Sequence, residues 1–280
     1  SFRGKGVLWV DEVSAAGGPG AQTEFSDEEL QSLALPAGGR KWGSAHALLL
    51  SNHEALDGEA LHERLEQLRR RLEKDLPFAG PAGAGRPILI VFDTPEQYAD
   101  FPLRLAKLLN ATGAAPKSGG YTVHGIATAS WLEEYGTMRP VFFHEFVHSW
   151  LDRVACMPSS SGDWLQEGLA THYQLEFQPQ ADLPRLIRAG LSDAARRLPL
   201  EELCSGKAVP LNRYWQAMTV AAMFLHEPAY RQRLPALWSA MLQRGSTDLG
   251  PHLEQLGCSW KELTRDWMQF CRRHYLGEAP

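Results

Sequence analysis

The stretch "RPVFFHEFVHSWLDRV" sets His144 and His148 four residues apart, with Glu145 directly after the first. On an α-helix, residues four apart lie one above the other, so both imidazoles can present a nitrogen to one ion at about 2.0–2.1 Å. Glu145 is turned by about 100° from His144 and does not easily join the same tetrahedron. It can instead reach a water at an open coordination position and take its proton, as a general base does. The competing reading is an ordinary helix that carries two histidines. Pro140 suits a first helical turn, and Val141, Phe142, Phe143, Phe146, Val147, Trp150 and Leu151 make the segment apolar nearly all round. Such a helix is buried, where unpaired imidazoles are costly, and a shared metal would relieve that cost.

A catalytic zinc needs a third protein ligand. The pattern that supplies a third histidine requires Gly and His three and six residues after the second one, and Leu151 and Val154 occupy those places. Downstream, "DWLQEGLATHY" puts Glu167 nineteen residues after His148 on a helix of its own, with Gly168 leaving room for close approach to the first helix. The two segments together match HExxH-x18-E.

With "WLQEGLA" from Trp164 to Ala170, the chain resembles the gluzincin metallopeptidases, whose second motif commonly reads WLxEGxA. From about Ala45 onward it looks, more narrowly, like the peptidase MA-like group and the related DUF1570 family of bacterial gluzincins. "PILIVFDTPEQYADF", "YWQAMTVAAMFLHE" and "LGCSWKELTRDWMQFCRRH" carry that likeness through their order around the two motifs. The resemblance implies a zincin-like fold and one zinc per chain held by His144, His148 and Glu167, with Glu145 as the base for its water. It departs from the aminopeptidase branch, because "GGYTVHGIATAS" stands where a GxMEN-type segment would grip a free amine.

Peptide hydrolysis also needs a donor for the oxyanion, and gluzincins often draw it from a later helix. Tyr214, which opens "YWQAMTVAAMFLHE", is the first choice, with packing against its neighbours as the alternative. His226, at the end of the same helix, ranks below it and suits its C-terminal carbonyls. Thr171, one turn beyond Glu167, is either a hydrogen-bond partner of a ligand histidine or an exposed threonine. Tyr121 and His124 line the cleft if their strand is an edge that pairs with a peptide, but they point to opposite faces. His172 and Tyr173 read as surface or packing residues, and the tryptophans, Trp150, Trp164, Trp238, Trp260 and Trp267 among them, as core.

The elements that must position these groups fall into two lobes. Residues 1–44, with "SAAGGPGAQ" and "PAGGRKWG", read as an irregular arm around one short helix near "SDEELQSLAL". Residues 45–138 read as an α/β lobe: a strand in "AHALLLS", an amphipathic helix with Leu61, Leu65, Leu68 and Leu72 on one stripe, and a strand in "ILIVFD". A helix capped by Thr94 with Pro95 at its first position follows, then a third strand in "GGYTVHGIATAS". Residues 139–280 are helical throughout, and the cleft lies between the lobes. The fold class expected is α+β and zincin-like, with a small mixed sheet, the HExxH helix beneath it and an all-helical C-terminal lobe.

A net charge of -5 argues against a general nucleic-acid binder, and the basic run "RLEQLRRRLEK" reads as a solvated helix face. No apolar run approaches the roughly 18–20 residues of a membrane span. The chain starts at Ser1 without a methionine or a signal-like apolar stretch, which fits removal of either a leader or a tag and leaves export open. Cys156, Cys204, Cys258 and Cys271 contain no CxxC pair, and both free thiols and two bridges are open. The expected function is zinc-dependent peptide-bond hydrolysis on a peptide or protein substrate. The alternative is a non-catalytic interaction module that zinc merely stabilises.

Overall fold

A computed structural model describes residues 25–80, 85–111, 113–116, 118–157, 162–179 and 182–278. The first 24 residues of the expected arm lie outside this set. The chain is α+β, and its first part runs α1 Asp27–Ala34, β1 Arg40–Gly43, β2 Leu48–Ser51, α2 Gly58–Asp75, β3 Ile88–Phe92, α3 Pro95–Leu108, β4 Gly120–Val123 and β5 Ile126–Ser130. Helices follow: α4 Pro140–Arg153, α5 Trp164–Phe177, α6 Leu183–Ser192, α7 Leu200–Leu203, α8 Tyr214–His226, α9 Pro228–Arg231, α10 Leu234–Arg244, α11 Leu253–Leu256 and α12 Trp260–Leu276.

The strands form one mixed sheet in the order β1-β2-β3-β5-β4, parallel through β2, β3 and β5 and antiparallel at both edges. Two expectations need correction. Residues 40–43, assigned to the irregular arm, form the edge strand β1, which pairs Arg40 with Ser51. The segment "GGYTVHGIATAS" is two strands, because His124 and Gly125 both take positive φ, at 49° and 72°, and close a two-residue hairpin turn of the type that matches strand twist.

Side chains alternate across the sheet, and both faces are covered. Leu48, Leu50, Ile90 and Phe92 pack with Phe101 and Leu105 of α3 and with Leu30 of α1. Leu49, Leu89, Val91, Ala127 and Ala129 pack on the opposite face with the leucine stripe of α2 and with α4. That second core continues into α5, α8, α10 and α12, where Trp150, Trp164, Trp238 and Trp267 are fully buried while Trp260 is only half-buried.

The basic run of α2 is only partly a solvated face. Arg70 is exposed, but Arg69 is buried between Glu66 and Glu73, and Arg71 pairs with Asp75 and Glu176. Cys156, Cys204, Cys258 and Cys271 are all free thiols. Among the described residues, no helix is long and apolar enough to cross a membrane.

Candidate metal centre

Helix α4 has Pro140 at its start and is buried on almost every side, packed between the sheet and α5. Its rotation is set by polar groups on the sheet side. Ser149 Oγ donates to the Gly125 carbonyl in the β4–β5 turn and accepts from the Ile88 amide at 2.8 Å, and Arg153 Nε donates to the Arg86 carbonyl at 2.7 Å. Arg139, just before the helix, donates to the Ser130 carbonyl at the end of β5. Glu145 lies one turn before Ser149 and so shares its stripe, facing the sheet at β4. There Thr122 Oγ1 donates to Glu145 Oε2 at 3.0 Å and to its carbonyl at 3.2 Å.

Gly120 makes room for this carboxylate. A Cβ at that position would lie 2.9 Å from Glu145 Oε1 and 2.6 Å from Val141 Cγ2. Glu145 is therefore a fully buried carboxylate seated against the edge strand and anchored by a hydroxyl.

The two histidines project from an adjoining stripe of α4, about 60–100° round the helix from Glu145, towards α5. Asp163, itself fully buried, caps α5 by accepting from the Leu165 and Gln166 amides at 2.9 and 3.1 Å. The cap fixes the first turn of α5 and with it Glu167. His144 Nε2 and His148 Nε2 are 3.1 Å apart, and they lie 3.2 and 3.6 Å from Glu167 Oε2. An ion with tetrahedral bonds of about 2.0–2.1 Å spaces its ligand atoms about 3.3–3.4 Å apart. The three donors are thus already set at the edges of such a tetrahedron.

Glu167 is fully buried, and neither of its carboxylate oxygens accepts a hydrogen bond among the described residues. Burial opposes its ionisation, but the adjacent imidazoles, His148 first and then His144, outweigh that and lower its pKa to about 2. A buried anion flanked by two imidazole nitrogens is what a cation satisfies. The group His144, His148 and Glu167 can hold a metal ion.

Sequence reasoning missed two supporting residues. Gln166 Oε1 lies 3.2 Å from His148 Nδ1, which leaves Nε2 to direct its lone pair at the cluster. The available signal is an amide directly before the ligand on an otherwise apolar stretch. Thr122, the anchor of Glu145, is legible only once the hairpin register is known.

Thr171, by contrast, is buried rather than exposed, and its hydroxyl makes no hydrogen bond among the described residues, so the role of orienting a histidine falls to Gln166. Tyr121 turns to the far face and packs on Tyr98, while His124 sits in the hairpin turn. Tyr214 is buried, with its ring parallel to that of His144 at 6.2 Å between centroids. Beside it Thr171, Leu175, Leu186 and Trp215 help to line an apolar cavity of about 180 Å³. Tyr173 is buried and donates to Asp75 at 3.1 Å, and His172 turns away from the cluster towards His226.

Gly168 does permit a close approach, but to α8 rather than to α4. A Cβ there would meet the Ala217 carbonyl oxygen at 2.6 Å and Ala221 Cβ at 3.0 Å. Backbone cannot swing aside, so Gly168→Ala is expected to push α5 off α8. The overpacking cost exceeds the helix-propensity gain of alanine, for a net loss of about 1–2 kcal/mol and a fall of a few degrees in Tm. Thermal denaturation checks this, and a variant as stable as the parent would show that the contact relaxes freely.

No protein-family model matches this chain, and no curated protein matches it.

Proposed function

We propose that the protein is a zinc-dependent metallopeptidase of the gluzincin type, with a zincin-like fold. The observation that carries the reading is the donor set: three protein groups at tetrahedral spacing among the described residues, two of them on the helix that also carries Glu145 and the third, Glu167, on α5. Structural zinc sites are closed by four protein ligands, whereas catalytic sites keep one position open. His144, His148 and Glu167 would hold the ion, with Gln166 fixing the ring of His148. When bound, zinc supplies a Lewis acid and a water whose pKa is lowered to about 7.

The remaining chemistry belongs to the chain. The Glu145 carboxylate, held by Thr122, takes a proton and delivers it to the leaving amine. The Tyr214 hydroxyl donates to the oxygen that gains charge as the carbonyl is attacked. β4 is an edge strand beside Glu145, and an extended peptide can pair with it through its main chain. The apolar cavity next to Tyr214 suits an apolar substrate side chain.

Elemental analysis and a peptide-library digest test the proposal together. The expected result is one zinc fewer per chain on Glu167→Gln, and peptide cleavage that a hydroxamate blocks by taking the open position. Bound zinc with no cleavage of any peptide and no hydroxamate binding would favour a zinc-stabilised interaction module instead.

A further inference from the structure

A second group of imidazoles lies outside this centre. His172 on α5, His226 at the end of α8 and His274 in the last turn of α12 are neighbours in turn, with ring centroids 5.4 Å apart for the first pair and 5.5 Å for the second. Two imidazoles bound to one ion through nitrogens at about 2.0–2.1 Å have ring centres about 5 Å apart. Each neighbouring pair is therefore spaced to share an ion, while the three rings as they stand are not gathered around one point. Hydrogen bonding offers no other account of the anchor residue, because His172 Nε2 is buried and finds no partner among the described residues.

His226 and His274 are exposed and nearly parallel, at 13°, with His274 lying on Phe270. Turning either ring lets both aim a nitrogen at one point, and exposed side chains change rotamer readily.

We propose that His172, His226 and His274 form a second, surface metal site that takes a divalent transition-metal ion of the zinc, nickel and copper class and ties α5, α8 and α12 together. Neutral imidazole nitrogens select such ions over calcium or magnesium. His172 and His226 are available in that neutral form. Burial lowers the pKa of His172 to about 3, helped by His226, Arg71 and His274, and burial likewise lowers His226, helped by His274, Arg71 and Arg231 against Asp75. Nor does Arg71 repel a cation strongly, since it is paired with Asp75 at 3.0 Å and Glu176 at 3.1 Å. The site is independent of the peptidase reading.

Equilibrium dialysis of the full chain against zinc at pH 7.5, followed by elemental analysis, tests it. Two ions per chain are expected in the parent protein. His226→Ala and His274→Ala, both at exposed positions, should each weaken the second ion at least tenfold and leave the first in place. Glu167→Gln should lose the first and keep the second, so failure of either site is visible separately. Copper(II) added to zinc-loaded protein should give an electron paramagnetic resonance signal split by several imidazole nitrogens, and each histidine variant should simplify it. Unchanged binding in both histidine variants, or no ion beyond the one that Glu167→Gln removes, would overturn the site.

Discussion

Replacing Glu145 by glutamine is expected to leave zinc in place and lower kcat by about 10²–10⁴-fold, the range by which a positioned general base accelerates a reaction. The argument rests on what the substitution preserves. Glutamine has the same length and shape, its carbonyl oxygen can still accept from Thr122 at the position now 3.0 Å away, and it fits the same space beside Gly120. His144, His148 and Glu167, the residues proposed to hold the ion, are untouched. What is lost is the ability to take a proton and return it. Since that interaction exists only in the reacting complex, kcat and kcat/KM should fall together while KM stays near its parent value. Zinc content and steady-state kinetics on one cleaved peptide decide the matter, and parental turnover in the variant would remove Glu145 from the mechanism.

The grouping of His144, His148 and Glu167 was legible because helix geometry converts sequence spacing directly into spatial spacing. Four residues along α4 stack His144 on His148, and Asp163 with Trp164 announces the capped start of the helix that bears Glu167. The sheet was harder to read, since strand pairing is non-local. β1 is a short, mostly exposed edge with the sequence RKWG, so no alternation of buried and exposed residues marks it. The β4–β5 hairpin turns at His124 and Gly125 rather than at an Asn-Gly or Asp-Gly pair, the strongest local sign of such a turn. Missing that turn hid the register, and with it the fact that Thr122 rather than Tyr121 faces Glu145. Gln166 was hidden for a similar reason. Its partner is a ring nitrogen eighteen positions away, and only the packing of α4 on α5 brings the two to 3.2 Å.

The same packing leads to the second large effect, that of removing the metal. The zinc-free protein keeps a fully buried Glu167 carboxylate whose oxygens accept no hydrogen bond among the described residues, facing two imidazoles on a different helix. An ion that binds only the folded chain stabilises it by about 4 kcal/mol when present at a thousandfold excess over Kd. In a chain of this size that corresponds to about 10 °C in Tm. Chelation is therefore expected to abolish turnover and lower Tm by about that amount, both restored by zinc. The measurement belongs in the His226→Ala background, so that an ion on the weakened surface histidines contributes little to the shift. In the same background, Glu167→Gln replaces the anionic ligand by a neutral amide, and its Tm should respond to neither chelator nor zinc. If that double variant still melts at a zinc-dependent temperature, the ion that holds α4 and α5 together is bound by other residues, and the role given to Glu167 fails with it.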